Sequence, residues 1–395
     1  MNIPLLDLKA QLDPIRDEIM AAITATVDST CYIMGPQIEL FEKNMAAYCG
    51  ARSAVGVSSG TDALLAALMA LGVGRDDLVL TTPYSFFATM GSILRLGAQP
   101  VFADIDPVTF NIDPEQVAAL LSDSSLASKL KAILPVHLFG QCADMAPLVK
   151  MAGELHIPVV EDAAQAIGSA YPMPADGALQ WLKAGSMGLC GCFSFFPSKN
   201  LGGMGDGGMV VTGNEKMAKD LRLIRVHGDI SKYQHTVVGG NFRLDAMQAA
   251  ILNVKLPHLP KWHAARRQNA TLYNALFKEA GLVEAGYVAT PRAVYQDAAT
   301  AENGVDYHIY NQYVIRVKDR DALRDYLLEQ SIGVAVYYPI PLHQQKCISG
   351  LAASRLSFPE AEKAAAETLA LPIYPELTSD MQEYLVERIR AFYMK

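Results

Sequence analysis

The chain predicts an α/β protein in two parts: a large unit on a mostly parallel sheet covered by helices, then a smaller α+β unit. Three observations carry this. Short apolar runs alternate with longer amphipathic stretches up to about residue 240, the pattern of a sheet buried on both faces. Polar clusters follow those runs directly, at Gly60-Thr61, Ser85-Phe86, Asp162 to Gln165 and Ser194 to Lys199, and open sheets place ligands at such strand ends. After Asn241 the texture changes to a long helical stretch and then a strand-and-helix module. The boundary is set inside or beside that stretch, giving units of 1–255 and 256–395.

The elements follow in order. Residues 12–27 form an amphipathic helix, and a turn at Gly35-Pro36 opens a second one to about Ala47. The segment 53–72 reads as a strand, the polar step Ser58-Ser59-Gly60-Thr61, and a helix with Leu64, Leu65, Leu68 and Leu71 on its apolar face. Residues 77–83 and 99–105 are strands, with the helix YSFFATMGSILRLG between them and another helix near Pro114. LKAILPVHLFG, IPVVEDAAQAIG and CGCFSFF continue the strands, with PLVKMAGEL helical between the first two. The 171–186 loop either contacts a ligand or covers the sheet. Beyond Asn241, prolines 257 and 260 kink or split the long helix. YNQYVIRV, a helix over 319–331, GVAVYYPIPLHQQ, a loop, and a final helix after Ser379 complete the chain.

Composition narrows the class. In 395 residues, 51% are apolar and 19% charged, a folded rather than a disordered balance. The net charge of −8 gives no reason to expect a nucleic-acid partner. Asp7, Lys9, Asp13, Arg16 and Asp17 interrupt the first twenty residues, so no signal peptide is expected, and no apolar run reaches membrane length. Six scattered cysteines, with only Cys190 and Cys192 close in sequence, suit thiols in a cytoplasmic setting. No histidine spacing supports a metal.

The run GCFSFFPSKNLGGMGDGGMVVTG sets Lys199 between a hydroxyl-bearing aromatic segment and a glycine-rich one. An amine so placed suits Schiff-base chemistry with an aldehyde cofactor; it also suits a surface lysine in a turn. Ser59-Gly60-Thr61 ends a strand and opens a helix, an anion site by its N–H groups and dipole, or an ordinary cap. Ser194 could add a hydroxyl to the same phosphate. Asp162 ends an apolar strand, where a buried carboxylate needs a positive partner such as a protonated pyridine nitrogen; alternatively it caps a helix. Gln165 could then reach the ring oxygen. Phe86 or Phe87 could stack on a flat ring or fill the core. Asn241 and Arg243 follow two glycines and offer oxygen-binding groups, unless Arg243 pairs with Asp245. YYPIPLHQQ could line a substrate entrance, although a satisfied structural His343 fits as well.

Read together, SSGTDALLAAL, TTPYSFFAT, VHLFGQCADM, VVEDAAQAIG, FSFFPSKNLGGMGDGGMVVT, GGNFRLDAMQAAIL and VYYPIPLHQQ resemble the DegT/DnrJ/EryC1/StrS-type aminotransferases of nucleotide-linked keto-sugars over essentially the whole chain. The resemblance implies the pyridoxal-phosphate fold type I. It makes Lys199 the internal-aldimine lysine and Asp162 the pyridine-nitrogen partner. Gln165 bonds the ring oxygen, Phe86 stacks on the ring, and Gly60, Thr61 and Ser194 hold the phosphate. Asn241 would reach the same phosphate from a neighbouring subunit, implying a homodimer with shared sites. The cofactor is pyridoxal 5'-phosphate, passing through pyridoxamine 5'-phosphate, in ping-pong transamination with L-glutamate as donor, as in amino-sugar and polysaccharide biosynthesis. Tyr233, Arg243, Tyr337 and His343 are candidate substrate contacts. The motifs lean toward a 3-keto-sugar; a 4-keto-sugar or another pyridoxal-phosphate reaction is the alternative. Lys199 argues against the related sugar dehydratases, which have histidine there.

Overall fold

Seven strands make the central sheet of the computed structural model, which describes residues 1–175, 177–299 and 304–394. They are β1 (Ser53–Val57), β2 (Leu78–Thr81), β3 (Gln99–Phe102), β4 (Leu130–Ile133) and β5 (Val160–Asp162). After a hairpin of β6 (Ala170–Ala175) and β7 (Ala178–Lys183) come β8 (Cys190–Ser194) and β9 (Gly208–Thr212). The ladders run β1-β9-β8-β5 and β3-β2-β4, and parallel bridges Ile133↔Val159 and Val136↔Asp162 join the two halves. Among these seven strands β9 alone runs against its neighbours. All five of its residues are buried, as expected where helices cover both faces.

Because β1, β2, β5 and β8 are parallel, their carboxyl ends share one edge, and the chain leaves each of them through a polar turn. After β1, Ser59 takes an extended conformation and its Oγ accepts the N–H of Asp62, starting the Gly60–Ala70 helix. After β2, the chain turns through Ser85 and Phe86 into the Phe87–Arg95 helix.

A short antiparallel hairpin, β10 (Asp229–Ser231) and β11 (Gln234–His235), stands out from the sheet. The long helical stretch is split where the prolines predicted: Ala246–Lys255, a 3₁₀ turn at Leu256–His258, then Leu259–Glu279. The smaller antiparallel sheet has the order β12 (Val288–Ala289), β13 (Tyr313–Val317), β14 (Thr368–Leu371). The Leu259–Glu279, Arg320–Glu329 and Ser379–Tyr393 helices supply its core with Tyr273, Phe277, Leu327, Leu385 and Ile389. Ile3 belongs to that core and pairs with the backbone of Ser331 and Gly333.

Two expectations are corrected. The 171–186 segment is largely the β6–β7 hairpin, with six paired positions, rather than a loop; Asp176 lies outside the described residues. The supposed loop before Ser379 contains the Pro359–Glu367 helix and β14. That helix is only nine residues long, and its small alanines gave the apolar periodicity little contrast. Among the described residues no helix is long and apolar enough to cross a membrane, and no cluster of potential metal ligands occurs.

Candidate active site

The ends of β1, β2, β5 and β8 bring the predicted residues Gly60, Thr61, Phe86, Asp162, Ser194 and Lys199 to one edge of the sheet. Asp162 closes β5 and is 4% exposed. Its Oδ2 accepts the hydroxyl of Thr89 at 2.8 Å and its Oδ1 the N–H of Ala164 at 3.2 Å. Among the described residues no cationic side chain forms an ion pair with it. Burial raises the pKa of its carboxyl above the ordinary value; the Thr89 and Ala164 bonds and the Lys199 charge oppose this. A buried carboxylate held by one hydroxyl and one amide, with no ion-pair partner, fits a protonated heterocyclic nitrogen.

Lys199 is partly buried, one turn beyond β8, and its N–H bonds the carbonyl of Phe196 at 2.8 Å. Burial lowers its amine to about 8, against the opposing pull of Asp162. An amine near neutrality has enough unprotonated form to attack a carbonyl or exchange a proton.

The phosphate candidates converge too. A Cβ on Gly60 would stand 2.6 Å from Cβ of Ser194 and 3.2 Å from its Cα, so only glycine lets the helix start approach β8 this closely. Gly60 and Thr61 open the helix, where N–H groups lack intrahelical acceptors. The Ser194 hydroxyl accepts the Phe196 N–H at 3.3 Å, leaving its proton free to donate. This close cradle of amides and a hydroxyl fits a phosphate, as the Asp162 carboxylate fits the ring nitrogen.

Phe86 precedes the Phe87–Arg95 helix and is 57% exposed, while the Phe87 ring lies against Gly91. Of the two, Phe86 therefore has the freer face. Gln165 is more committed than predicted: its Oε1 accepts the N–H of Phe139 at 2.7 Å and its Nε2 donates to the Tyr338 hydroxyl at 2.9 Å. One Nε2 hydrogen remains for a ring oxygen.

The substrate candidates scatter. Arg243 bridges to Val57, and with Asn241, Ser58, Ser59, Asp62 and Asp206 it lines a cleft of about 520 Å³. Its Nε is buried without a hydrogen-bond partner among the described residues. Asn241 is exposed, and Tyr233 is 82% exposed at the β10–β11 turn. Tyr337 lends its carbonyl to the hydroxyl of Tyr84 at 2.6 Å. His343 is not offered to a ligand: it is 1% exposed, its Nε2 lies 3.1 Å from Glu362 Oε1, and its ring meets Phe358 edge-on.

Sequence reasoning missed four residues here. Tyr338 bonds Gln165 and has its ring 6.1 Å from that of Phe86; its neighbour in YYPIPLHQQ was singled out instead. Thr89 sits three positions after Phe86, one helical turn on, and that spacing could have found it. His137 and Glu161 underlie the floor. Glu161 accepts the N–H groups of Gly185, Met187 and Gly188 at 2.6–2.7 Å. His137 Nδ1 accepts the Ala143 N–H, so the neutral ring carries its proton on Nε2 and donates it to Glu161 at 2.9 Å.

The family model of the DegT/DnrJ/EryC1/StrS aminotransferases matches residues 13–390. A Geobacillus stearothermophilus protein named pleiotropic regulatory protein is 47% identical over 100% of this chain and 99% of its own. The UDP-N-acetyl-3-dehydro-alpha-D-glucosamine 3-aminotransferase of Acidithiobacillus ferrooxidans is 38% identical over 98% and 97%. The Streptomyces venezuelae dTDP-3-amino-3,4,6-trideoxy-alpha-D-glucose transaminase is 37% identical over 99% and 96%. Among solved structures, Bacillus subtilis NtdA with the cofactor PMP bound superimposes with a TM-score of 0.85 at 29% identity, over 100% of this chain and 86% of that one.

Proposed function

The chain belongs to the DegT/DnrJ/EryC1/StrS aminotransferase family and is a pyridoxal-phosphate-dependent aminotransferase of nucleotide-linked sugars; from that premise we propose that it aminates C3 of a 3-keto-sugar, with L-glutamate as donor. The observation that carries the catalytic reading is the Asp162–Lys199 arrangement: a buried acid with no ion-pair partner among the described residues, beside an amine lowered to about 8. Support for C3 comes from the sugars named for the two transaminase relatives, both 3-amino products or 3-dehydro substrates.

The chemistry pyridoxal phosphate supplies when bound is an aldehyde carbon that carries the amino group, conjugated to a ring that accepts electrons from the substrate's α-carbon. Asp162, held in place by the Thr89 hydroxyl, would keep a proton on the cofactor's ring nitrogen. Ser194 and the N–H groups of Gly60 and Thr61 bind the phosphate. Phe86 would cover one ring face, and Gln165, anchored to Phe139 and Tyr338, would orient the ring oxygen. Lys199 Nζ would be the amine that holds the cofactor's aldehyde and, once free, the base that takes a proton from the amino donor's α-carbon and returns one to the sugar carbon.

The nucleotide lies, in this proposal, along the cleft that Asn241 and Arg243 line. A homodimer with shared sites is part of the same reading. Supporting it, the β10–β11 arm exposes Ile230 at 60%, Tyr233 at 82% and, just beyond, Val238 at 88%, next to Asn241. A cytoplasmic setting belongs to the proposal as well, in keeping with the six free cysteines. The regulatory name of the 47% identical relative adds no second reading, since a net charge of −8 supplies no field to draw nucleic acid.

An absorbance scan from roughly 300 to 500 nm tests the proposal. L-glutamate should convert the long-wavelength band to a shorter-wavelength form, and a 3-keto nucleotide-sugar should restore it. Restoration by the 4-keto isomer alone would overturn the C3 assignment, and a band indifferent to glutamate would overturn the donor.

A further inference from the structure

Lys255, outside the residues discussed so far, ends the Ala246–Lys255 helix and is 5% exposed. Its Nζ donates to the carbonyl of Gly202 at 2.7 Å and lies 3.4 Å from Gln11 Oε1. Among the described residues no carboxylate pairs with it, and burial lowers its amine to about 8. A methionine or leucine would fill this space without that desolvation cost. A cation at a helix C-terminus is favourable in general, but this one is directed at a loop carbonyl three residues beyond Lys199.

A second side chain of the same helix face holds the same loop. Gln248, seven residues and two turns earlier, accepts the N–H of Met204 at 2.7 Å. A Cβ on Gly203 would stand 2.8 Å from Gln248 Oε1, so a glycine permits the approach. The other side of the loop is held by Phe195, which accepts the N–H of Gly203 at 2.8 Å and donates to Gly207 at 2.8 Å. In the middle, the buried Asn200 donates Nδ2 to the carbonyl of Ile309 at 3.1 Å. Lys199 thus rides on a segment tied down on both sides.

We propose that Lys255 is a positioning residue for the reaction: its ammonium grips the Gly202 carbonyl and, with Gln248, holds the 199–205 loop so that the Lys199 amine stays over Asp162. The inference rests on Lys199 being the reacting amine, the reading given above. Misplacing a reacting group by about an ångström costs up to about a hundredfold in rate, whereas removing an unpaired buried charge leaves the fold about as stable as before.

Lys255→Met separates the two effects, with Lys255→Arg as the rescue variant. In the cofactor-stripped protein, hydrogen exchange over residues 199–205 should quicken about tenfold in the methionine variant, with the rest of the sheet unchanged and the melting temperature within about 3 °C of the parent. Capture of added pyridoxal phosphate, followed by absorbance, should slow, and kcat should fall by about ten- to a hundredfold with KM within about twofold. Arginine should restore part of both. Loop exchange and capture rate equal to the parent's would overturn the proposal. So would a melting temperature that falls with exchange quickening across the whole chain, because Lys255 would then be a structural residue only. Lys199→Ala is the control on the underlying reading: if it still captures the aldehyde, the Lys199 assignment fails, while the loop-exchange result stands by itself.

Discussion

Replacing Lys199 by methionine should make the cofactor-free protein more stable while abolishing its chemistry. Lowering the amine from its ordinary 10.5 to about 8 corresponds to about 3 kcal/mol against the protonated folded form. Two features of the site reduce that figure. Lys199 keeps some exposure to solvent, which screens the penalty, and Asp162 loses a favourable charge when the amine goes. A gain of about 1–2 kcal/mol at pH 7 is therefore expected. Its pH dependence has a definite sign. From about 8 to 10.5 the unfolded chain still holds a proton that folded Lys199 has lost, so parental stability rises with pH across that window. The Lys199→Met variant lacks this contribution, and its advantage should shrink to nothing by about pH 10.5. Urea unfolding of both stripped proteins at three pH values, followed by tryptophan fluorescence, measures it. A variant no more stable than the parent at pH 7, or an advantage that persists undiminished at high pH, would refute the argument that burial depresses this amine.

Gly60→Ala gains about 1 kcal/mol of helix propensity but drives a methyl into Ser194, so a net loss of up to about 2 kcal/mol and at least about tenfold weaker cofactor binding are expected by titration. Adding Ser194→Gly should relieve the clash; no recovery of stability would mean that the two residues do not meet. Glu161→Gln sets an amide against three N–H donors and His137, and should cost about 2–4 kcal/mol in denaturant melts. His343→Ala should cost about 1–3 kcal/mol with the sugar KM unchanged, whereas Tyr233→Ala should leave stability within about 0.5 kcal/mol. A His343 variant with a raised KM and an unshifted melt would place that ring in the substrate cleft instead.

The strand-end clusters were legible because parallel sheets put chemistry at one edge, and a two-residue apolar-to-polar step marks each strand's exit. Gly60 was legible as a helix start, but not as the contact point with Ser194, since 134 residues separate them and only the β1-β9-β8 order brings them together. The two readings of His343 stayed open in the sequence for a related reason: Glu362, 3.1 Å from its Nε2, lies on a helix whose alanines left little periodic signal. Lys255 was invisible because a lysine at a helix end is ordinary, and its burial depends on the loop that covers it.

The two adjacent acids of β5 show how an account of partners decides function where residue type cannot. Strand alternation sends Glu161 and Asp162 to opposite faces of the sheet, and both are buried. Glu161 meets three backbone N–H groups and the His137 ring, which satisfy its charge and clamp the 185–188 turn. Asp162 meets one hydroxyl and one amide, and burial pushes its protonation upward. A carboxylate with its acceptors filled can only hold structure, whereas one left short of donors attracts a cation from outside the chain. The peptide VVEDA contains both and does not distinguish them. The distinction arises when the 185–188 turn folds over one face of β5 and leaves the other face to Thr89 and Lys199. The turn's close approach depends on Gly188, where a Cβ would stand 2.6 Å from the Val159 carbonyl. The chemistry at Asp162 thus depends on a glycine whose own contact is on the neighbouring strand residue Val159, away from the reacting groups.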